Sequence, residues 1–156
     1  MPSGPKAVDV MTHPLITIGP DDTLEAAIDT MIDNAVTCLP VVSLSRHLLG
    51  ILTQGDILRR TETRLPKTRP RWLTLLTGTG PTARRASRKV RDVMTRSVIS
   101  APADTSFKLL LALMNAHCIE HVPIVERGTL LGLACRADLL DSAPSSWATA
   151  PSICPA

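Results

Sequence analysis

The chain has 156 residues, of which 44% are hydrophobic and 2% aromatic, and its formal net charge is +3. No apolar run reaches the roughly 18 residues needed to cross a bilayer, and the first residues lack the basic and then apolar pattern of a signal peptide. We therefore expect a cytoplasmic protein, long enough for one core or for two small units that share one. The cysteines show no CxxC spacing, which favours free thiols: Cys38, Cys118, Cys135 and Cys154.

The net charge hides an asymmetry along the chain. Residues 59–91 contain eleven basic residues and one acidic residue, whereas the rest of the chain contains six basic and thirteen acidic residues. The basic character therefore belongs to a connector in the middle of the chain rather than to the segments on either side.

The first half of the chain alternates short apolar runs with one amphipathic segment. Asp22, followed three residues later by Glu25, predicts a capping box at the start of a helix, and Asn34 predicts its end. After a loose arm, the predicted elements are a strand at residues 15–18, the helix to residue 34, strands at residues 39–43 and 48–53, and a helix at residues 54–60.

The second half gives the same order of elements. The predicted elements are a strand at residues 98–100, a helix at residues 106–116, strands at residues 122–125 and 130–134, and a helix at residues 136–142. Neither half, at roughly 55 residues, buries much core alone, so we expect the two to fold together. Residues 143–156, rich in Ala, Ser and Pro, are expected to form a flexible tail.

The two halves are an internal duplication. The segment from Gly50, Gly-Ile-Leu-Thr-Gln-Gly-Asp-Ile-Leu, returns from Gly132 as Gly-Leu-Ala-Cys-Arg-Ala-Asp-Leu-Leu. Upstream, Asp-Val-Met-Thr at residues 9–12 recurs at 92–95, and Leu-Pro-Val-Val at 39–42 recurs as Val-Pro-Ile-Val at 122–125. The offset is 83 residues upstream and 82 at the end, which indicates two copies that differ by one deletion in a turn.

The end of each copy has the chemistry of a ligand site. Thr53 is placed as the N-cap of the helix that follows, where unpaired backbone N–H groups and the helix dipole favour an anion. Asp56 carries the wrong charge for an anion but accepts hydrogen bonds from sugar hydroxyls. Together they indicate a nucleotide site without a catalytic group. The same residues also fit a structural N-cap and first-turn acid with no ligand.

The duplicated motifs resemble a tandem pair of CBS (cystathionine β-synthase) domains, a Bateman module. The resemblance covers residues 8–60 and 90–142. It implies an α+β, sandwich-like fold in which two βαββα motifs pack about a pseudo-twofold axis. It also implies a regulatory, non-catalytic module that needs no cofactor, binds AMP, ADP or ATP, or else S-adenosylmethionine or NAD, and forms a homodimer. The corresponding domains are residues 1–60, a connector at 61–89, residues 90–142 and the tail.

The resemblance also implies two sets of binding residues. In the first copy, Thr53 contacts the phosphate, Asp56 contacts the ribose, and an apolar slot holds the base: Leu15, Ile16, Cys38, Leu39 and Pro40. In the second copy, Asp138 keeps the ribose role, and the base is lined by Val98, Ile99, His121, Val122 and Pro123. Cys135 departs from the family pattern, which expects Thr or Ser, and Arg136 is placed to compensate with its charge. We therefore expect the first site to be the better preserved.

Other functions have weaker support in the sequence. His117, Cys118 and His121 have no evident fourth ligand for zinc, and Cys135 has no base that would make it a nucleophile, although its place beside Arg136 predicts a lowered pKa. The connector contains an apolar run at residues 71–76 that favours a short helix. Its arginines also fit a protein partner, an anionic membrane or nucleic acid, which gives the alternative of a basic interaction module acting through residues 59–91.

Overall fold

The structure is a computed structural model that describes residues 4–12, 15–61 and 88–142. The predicted connector helix at residues 71–76 and the predicted tail lie outside these residues. No helix within the described ranges is long and apolar enough to span a membrane. The elements there are α1 (Ala7–Val10), α2 (Leu24–Asp33), β1 (Cys38–Val42), β2 (Leu48–Thr53), α3 (Gln54–Thr61), α4 (Val90–Val93), α5 (Phe107–His117), β3 (His121–Glu126), β4 (Thr129–Cys135) and α6 (Arg136–Asp141).

The helix, strand, strand, helix order of both copies confirms the α+β prediction, but the first strand of each copy is only one residue pair. Ile18 makes a parallel bridge to Val41, and Ala101 makes the equivalent bridge to Ile124. Pro20 and Pro102 follow closely and have no backbone N–H to donate, so they limit extension of the ladder beyond these pairs. The predicted strands at residues 15–18 and 98–100 are therefore wrong in extent.

The long helix of each copy begins at a hydroxyl side chain. The Thr23 side chain accepts a hydrogen bond from Ala26 N–H at 3.1 Å, and Ser106 accepts from Leu109 N–H at 3.4 Å. The predicted capping box of Asp22 and Glu25 is wrong, because the Asp22 carboxylate instead accepts from Gly19 N–H at 2.8 Å. Asn34 ends α2 as expected.

The chain forms two compact units, and each unit takes the opening segment of one copy and the body of the other. Residues 16–44 and 49–97 form the first, called here the Asp56 unit. Residues 1–15, 45–48 and 98–156 form the second, called here the Asp138 unit. The Asp-Val-Met-Thr segment of the second copy thus belongs to the Asp56 unit, and that of the first copy belongs to the Asp138 unit.

In the Asp56 unit, the second copy's opening segment pairs with β2. Ile51 N–H donates to Thr95 O at 3.0 Å, and Thr95 N–H donates back to Ile51 O at 2.9 Å. Met94 lies over Gly50, where a Cβ would come within 2.8 Å of both the Met94 sulfur and the Thr95 carbonyl oxygen. Glycine is required there by this close approach. The core of the unit is built from α2, β1, β2, α3 and α4, together with the bridge residue Ile18 and with Met94, which follows α4: Ile18, Leu24, Ala27, Met31, Leu39, Val41, Leu52, Ile57, Val90, Val93 and Met94.

The Asp138 unit repeats this arrangement around β3 and β4, which pair antiparallel. Thr12 N–H donates to Leu133 O at 2.8 Å, and Met11 lies over Gly132. The register sets His121 opposite Cys135. The core of the unit surrounds the fully buried ring of Phe107: Ala7, Ala101, Leu110, Met114, Val122, Ile124, Ala134 and Leu139.

Candidate functional site

The start of α3 is built by a reciprocal pair of hydrogen bonds between Thr53 and Asp56. Asp56 N–H donates to Thr53 Oγ1 at 3.2 Å, and Thr53 N–H donates to Asp56 Oδ2 at 3.1 Å. The Thr53 hydroxyl also donates to the same carboxylate oxygen at 2.9 Å. This is a capping box, which satisfies backbone donors that a helix start leaves unpaired. The predicted N-cap at Thr53 is confirmed.

The other oxygen of Asp56 receives two further donors. Arg59 Nη2 lies 3.1 Å from Asp56 Oδ1, and the Thr95 hydroxyl donates to the same oxygen at 3.3 Å. Asp56 is only 6% exposed, and each of its four hydrogen bonds involves a charged acceptor. Its carboxylate is therefore satisfied by the protein, so a ligand at this carboxylate must replace one or more of these donors.

The sequence patterns predict Thr53 and Asp56 at this candidate site but not Thr95, which contacts Asp56. The available signal was the repeated Asp-Val-Met-Thr segment, whose threonine contacts the site aspartate in both units. Thr12, its counterpart, donates to Asp138 Oδ2 at 3.0 Å. Because these partners are 39 and 126 residues apart in the chain, no local pattern links them.

The apolar residues predicted for the first site differ in exposure. Leu39 is fully buried in the core of the Asp56 unit, Cys38 is 4% exposed, and Pro40 is also buried. Ile16 is half-buried and packs against the same core. Leu15 is half-buried and belongs to the Asp138 unit. The Leu39 side chain thus contributes to packing of the core. Within the Asp56 unit, Ile16 is the predicted apolar residue that remains partly accessible.

The start of α6 lacks the capping box of α3. Cys135 is its N-cap and makes no side-chain capping bond, while Asp138 is exposed. Burial, together with the Asp138 carboxylate beside it, raises the pKa of the Cys135 thiol to about 11. The predicted lowering of this pKa by Arg136 is therefore wrong. The Arg136 N–H donates to Glu120 O at 2.8 Å.

The remaining residues predicted for the second site lie in the Asp138 unit. Val122 and Pro123 are buried, and Val98 and Ile99 are half-buried. His121 is half-buried, and desolvation lowers its pKa. The negative charges of Glu120 and Asp138 act in the opposite direction but are the smaller effect. Among the described residues, no three His, Cys, Asp or Glu side chains come together in a way that could hold a metal ion.

Comparisons with known proteins identify the family of the two copies. A sequence model of the CBS domain matches residues 7–62 and 90–145. The chain is 32% identical over 136 residues to inosine-5'-monophosphate dehydrogenase of Methanocaldococcus jannaschii, covering 86% of this chain but only 23% of that enzyme.

Solved structures show the same fold. The CBS domain of a CBS domain containing membrane protein from Sphaerobacter thermophilus matches with a TM-score of 0.70 at 29% identity, covering 89% of this chain and 88% of that one. CBSX2, solved in complex with AMP, matches with a TM-score of 0.70 at 22% identity over 89% of this chain and 96% of that one. The chain belongs to the CBS domain family and contains two CBS domains, one in each copy.

Proposed function

We propose that this protein is a non-catalytic regulatory module that binds an adenine nucleotide at the start of α3. The observation that supports it is the cluster of Thr53, Asp56 and Thr95, in which a hydroxyl and a carboxylate lie together at a helix start. The structure of CBSX2 with AMP is a further support, at the level of the shared fold. AMP, ADP and ATP are the first ligands to test, and S-adenosylmethionine and NAD are the alternatives.

Binding requires the Asp56 carboxylate to exchange partners. Arg59 has a side chain that is 76% exposed, so its contact with Asp56 costs little to break. The ribose hydroxyls then donate to Oδ1 in place of Arg59 and Thr95. The Thr53 hydroxyl turns from Asp56 to the phosphate, which the backbone N–H groups of α3 also favour.

This exchange provides a way to transmit the bound state. Thr95 lies in the opening segment of the second copy, whose Met94 and Val93 are packed in the core of the Asp56 unit. A ligand that takes Asp56 away from Thr95 weakens one of the contacts that hold this segment. Ligand binding therefore favours an arrangement with that segment less constrained, and a partner protein or a second copy of the chain responds to it.

The test is a titration with AMP, ADP, ATP, S-adenosylmethionine and NAD, followed by calorimetry or thermal shift. Asp56→Asn removes the charge but keeps the size, and it should weaken binding at least about ten-fold, which corresponds to about 1.4 kcal/mol. Asp138→Asn is the matched control in the other copy. Thermal unfolding without ligand checks that both variants fold. Absence of binding by the whole panel would remove the proposal.

The second copy is proposed as the weaker site. Asp138 is exposed and available, but the Cys135 thiol is a poor donor to phosphate. Cys135→Thr supplies the hydroxyl that the first copy has, so it should strengthen nucleotide binding that depends on Asp138. The rival interaction module at residues 59–91 falls mostly on residues outside those the structure describes, and we do not propose it.

A further inference from the structure

The two opening segments have the same sequence, Asp-Val-Met-Thr, but their methionines differ in exposure. Met94 is 7% exposed in the core of the Asp56 unit, whereas Met11 is half-buried and packs at the border of the core of the Asp138 unit. The other methionines of the described ranges, Met31 and Met114, are buried. Met11 is therefore the methionine of the described residues to which a dissolved reagent has the most access.

The Met11 side chain occupies space that a glycine leaves open. A Cβ at Gly132 would overlap the Met11 sulfur and would lie 2.9 Å from the Met11 Cβ, so the thioether rests directly on the backbone of β4. The same side chain packs against the apolar core of the Asp138 unit. An oxygen added to this sulfur enlarges the side chain and makes it polar, which disfavours so close an apolar contact.

The opening segment of the first copy depends on this packing. Among the described residues, its backbone donates one hydrogen bond to β4, from Thr12 N–H to Leu133 O at 2.8 Å, whereas the opening segment of the second copy has two such bonds with β2. The Thr12 hydroxyl adds an exposed hydrogen bond to Asp138 Oδ2 at 3.0 Å. Met11 therefore contributes a larger share of the contact with its strand than Met94 does.

We propose that Met11 is an oxidation-sensitive modification site, at which a peroxide converts the thioether to a sulfoxide and so loosens the opening segment of the first copy from β4. A sulfur lone pair attacks one peroxide oxygen, the O–O bond breaks, and the other oxygen takes the proton of the first and leaves as water. The sulfur is oxidised by two electrons, and the peroxide is reduced by two. Methionine sulfoxide reductases reverse the change, so the site acts as a reversible switch.

The proposal goes beyond nucleotide binding and does not depend on it. Loosening of this segment withdraws the Thr12 hydroxyl from Asp138, while the buried Met94 keeps the hydrogen bond of Thr95 to Asp56 in place. Oxidation therefore acts on the Asp138 unit and leaves the Asp56 unit unchanged.

The first test compares the two methionines within one chain. The full chain is treated with hydrogen peroxide, and mass spectrometry of its peptides follows the sulfoxides of Met11 and Met94. Met11 should react at least about ten-fold faster, because oxidation of the buried Met94 requires the unit to open. Equal rates, or a faster reaction at Met94, would overturn the proposal.

The second test determines whether the sulfoxide loosens the segment. When Met11 is oxidised and Met94 is not, hydrogen exchange at the Thr12 amide should be at least about ten-fold faster, because this amide loses its bond to Leu133 O. The Thr95 amide is the matched internal control and should keep its exchange rate. Methionine sulfoxide reductases should restore the exchange rate of Thr12. An unchanged rate at Thr12, or the same acceleration at Thr95, would show that Met11 is not a switch.

Met11→Leu keeps the apolar packing but forms no sulfoxide. Peroxide should not accelerate exchange at Thr12 in this variant, and thermal unfolding without peroxide checks that the variant folds. Met94→Leu, the same change in the other segment, should respond to peroxide as the natural chain does. Acceleration that persists in Met11→Leu would overturn the proposal, and the first two tests decide it in the natural chain even if the variant does not fold.

Discussion

The hydroxyl of Thr95 lies 3.3 Å from a carboxylate oxygen of Asp56. Thr95 belongs to the opening segment of the second copy, whereas Asp56 belongs to the last motif of the first copy. The same relationship joins Thr12 to Asp138 at 3.0 Å. Each aspartate is therefore hydrogen-bonded to the opening segment of the other copy. The ligand that we propose at Asp56 would compete with this hydrogen bond and would be linked to the segment by it.

Thr95→Val tests this competition directly. Valine keeps the shape of threonine but removes the donor, so we expect the free energy of unfolding to fall by about 1 kcal/mol. Affinity for an adenine nucleotide should rise by up to about five-fold, because the ligand no longer displaces a protein donor. Chemical denaturation and calorimetry measure the two effects. Thr12→Val, the counterpart, should not change binding that depends on Asp56; lower affinity in Thr95→Val would contradict the competition.

The fit of Met94 against Gly50 gives a second prediction. A methyl group on Gly50 would come within 2.8 Å of the Thr95 carbonyl oxygen, and that oxygen is held by Ile51 N–H. Gly50→Ala should therefore lower the free energy of unfolding by about 1–3 kcal/mol.

Gly55→Ala is the matched control. The nearest atom to a Cβ at Gly55, Thr53 Oγ1, is 3.6 Å away, which is an ordinary contact. In the first turn of α3 this change should be neutral or should stabilise the protein by up to about 1 kcal/mol. Equal stability of the two variants in urea denaturation would show that the opening segment does not pack tightly on β2.

Local sequence patterns predicted β2 at the observed residues and placed the helix starts at Thr53 and Ser106 correctly or within one residue. The duplication also indicated that the two copies fold together, and the CBS family assignment is confirmed. The strand and the helix starts depend on hydrophobic spacing and on side chains within a few residues of each other, and the family assignment depends on the repeated motifs; a sequence displays both directly.

The exchange of opening segments could not be predicted in the same way. Thr12 pairs with Leu133, and Thr95 pairs with Ile51, through backbone hydrogen bonds between distant parts of the chain. Backbone pairing between distant segments leaves no pattern of residue types in the sequence. The only local indication of this pairing was a glycine at the point of close approach in each copy, Gly50 and Gly132. The local contacts of Asp56 fit the structural N-cap that the sequence also allowed, because Thr53 and Arg59 are each three residues away. Only the donor from Thr95, 39 residues away, had no local signal.

The turn after each long helix provides a third prediction. Ala35 and Cys118 occupy equivalent positions at the ends of α2 and α5, with φ values of 52° and 50°. This left-handed conformation is unfavourable for a residue with a Cβ by roughly 1–2 kcal/mol, and glycine does not have this steric penalty. Glycine loses more conformational entropy on folding, which offsets part of the gain. Ala35→Gly and Cys118→Gly should each raise the free energy of unfolding by about 0.5–1 kcal/mol. Ala112→Gly, within α5, should lower it by about 1 kcal/mol, and a loss of stability at all three positions would contradict the assigned backbone conformation.

The raised pKa of Cys135 gives a prediction on thiol reactivity. Because the pKa of this thiol is about 11 rather than the ordinary 9.0, the fraction present as reactive thiolate at neutral pH is about a hundred-fold smaller. A more basic thiolate is also a better nucleophile, which raises its rate constant about ten-fold and offsets part of this loss. Cys135 in the folded protein should therefore react with iodoacetamide about ten-fold more slowly than in the urea-unfolded chain, and more slowly still because it is half-buried. The rate should keep rising with pH beyond 9.0, as the thiol ionises toward its raised pKa. Mass spectrometry of the labelled peptides measures each cysteine separately, and equal rates in the folded and unfolded chains would show that Asp138 and burial do not hold this thiol protonated.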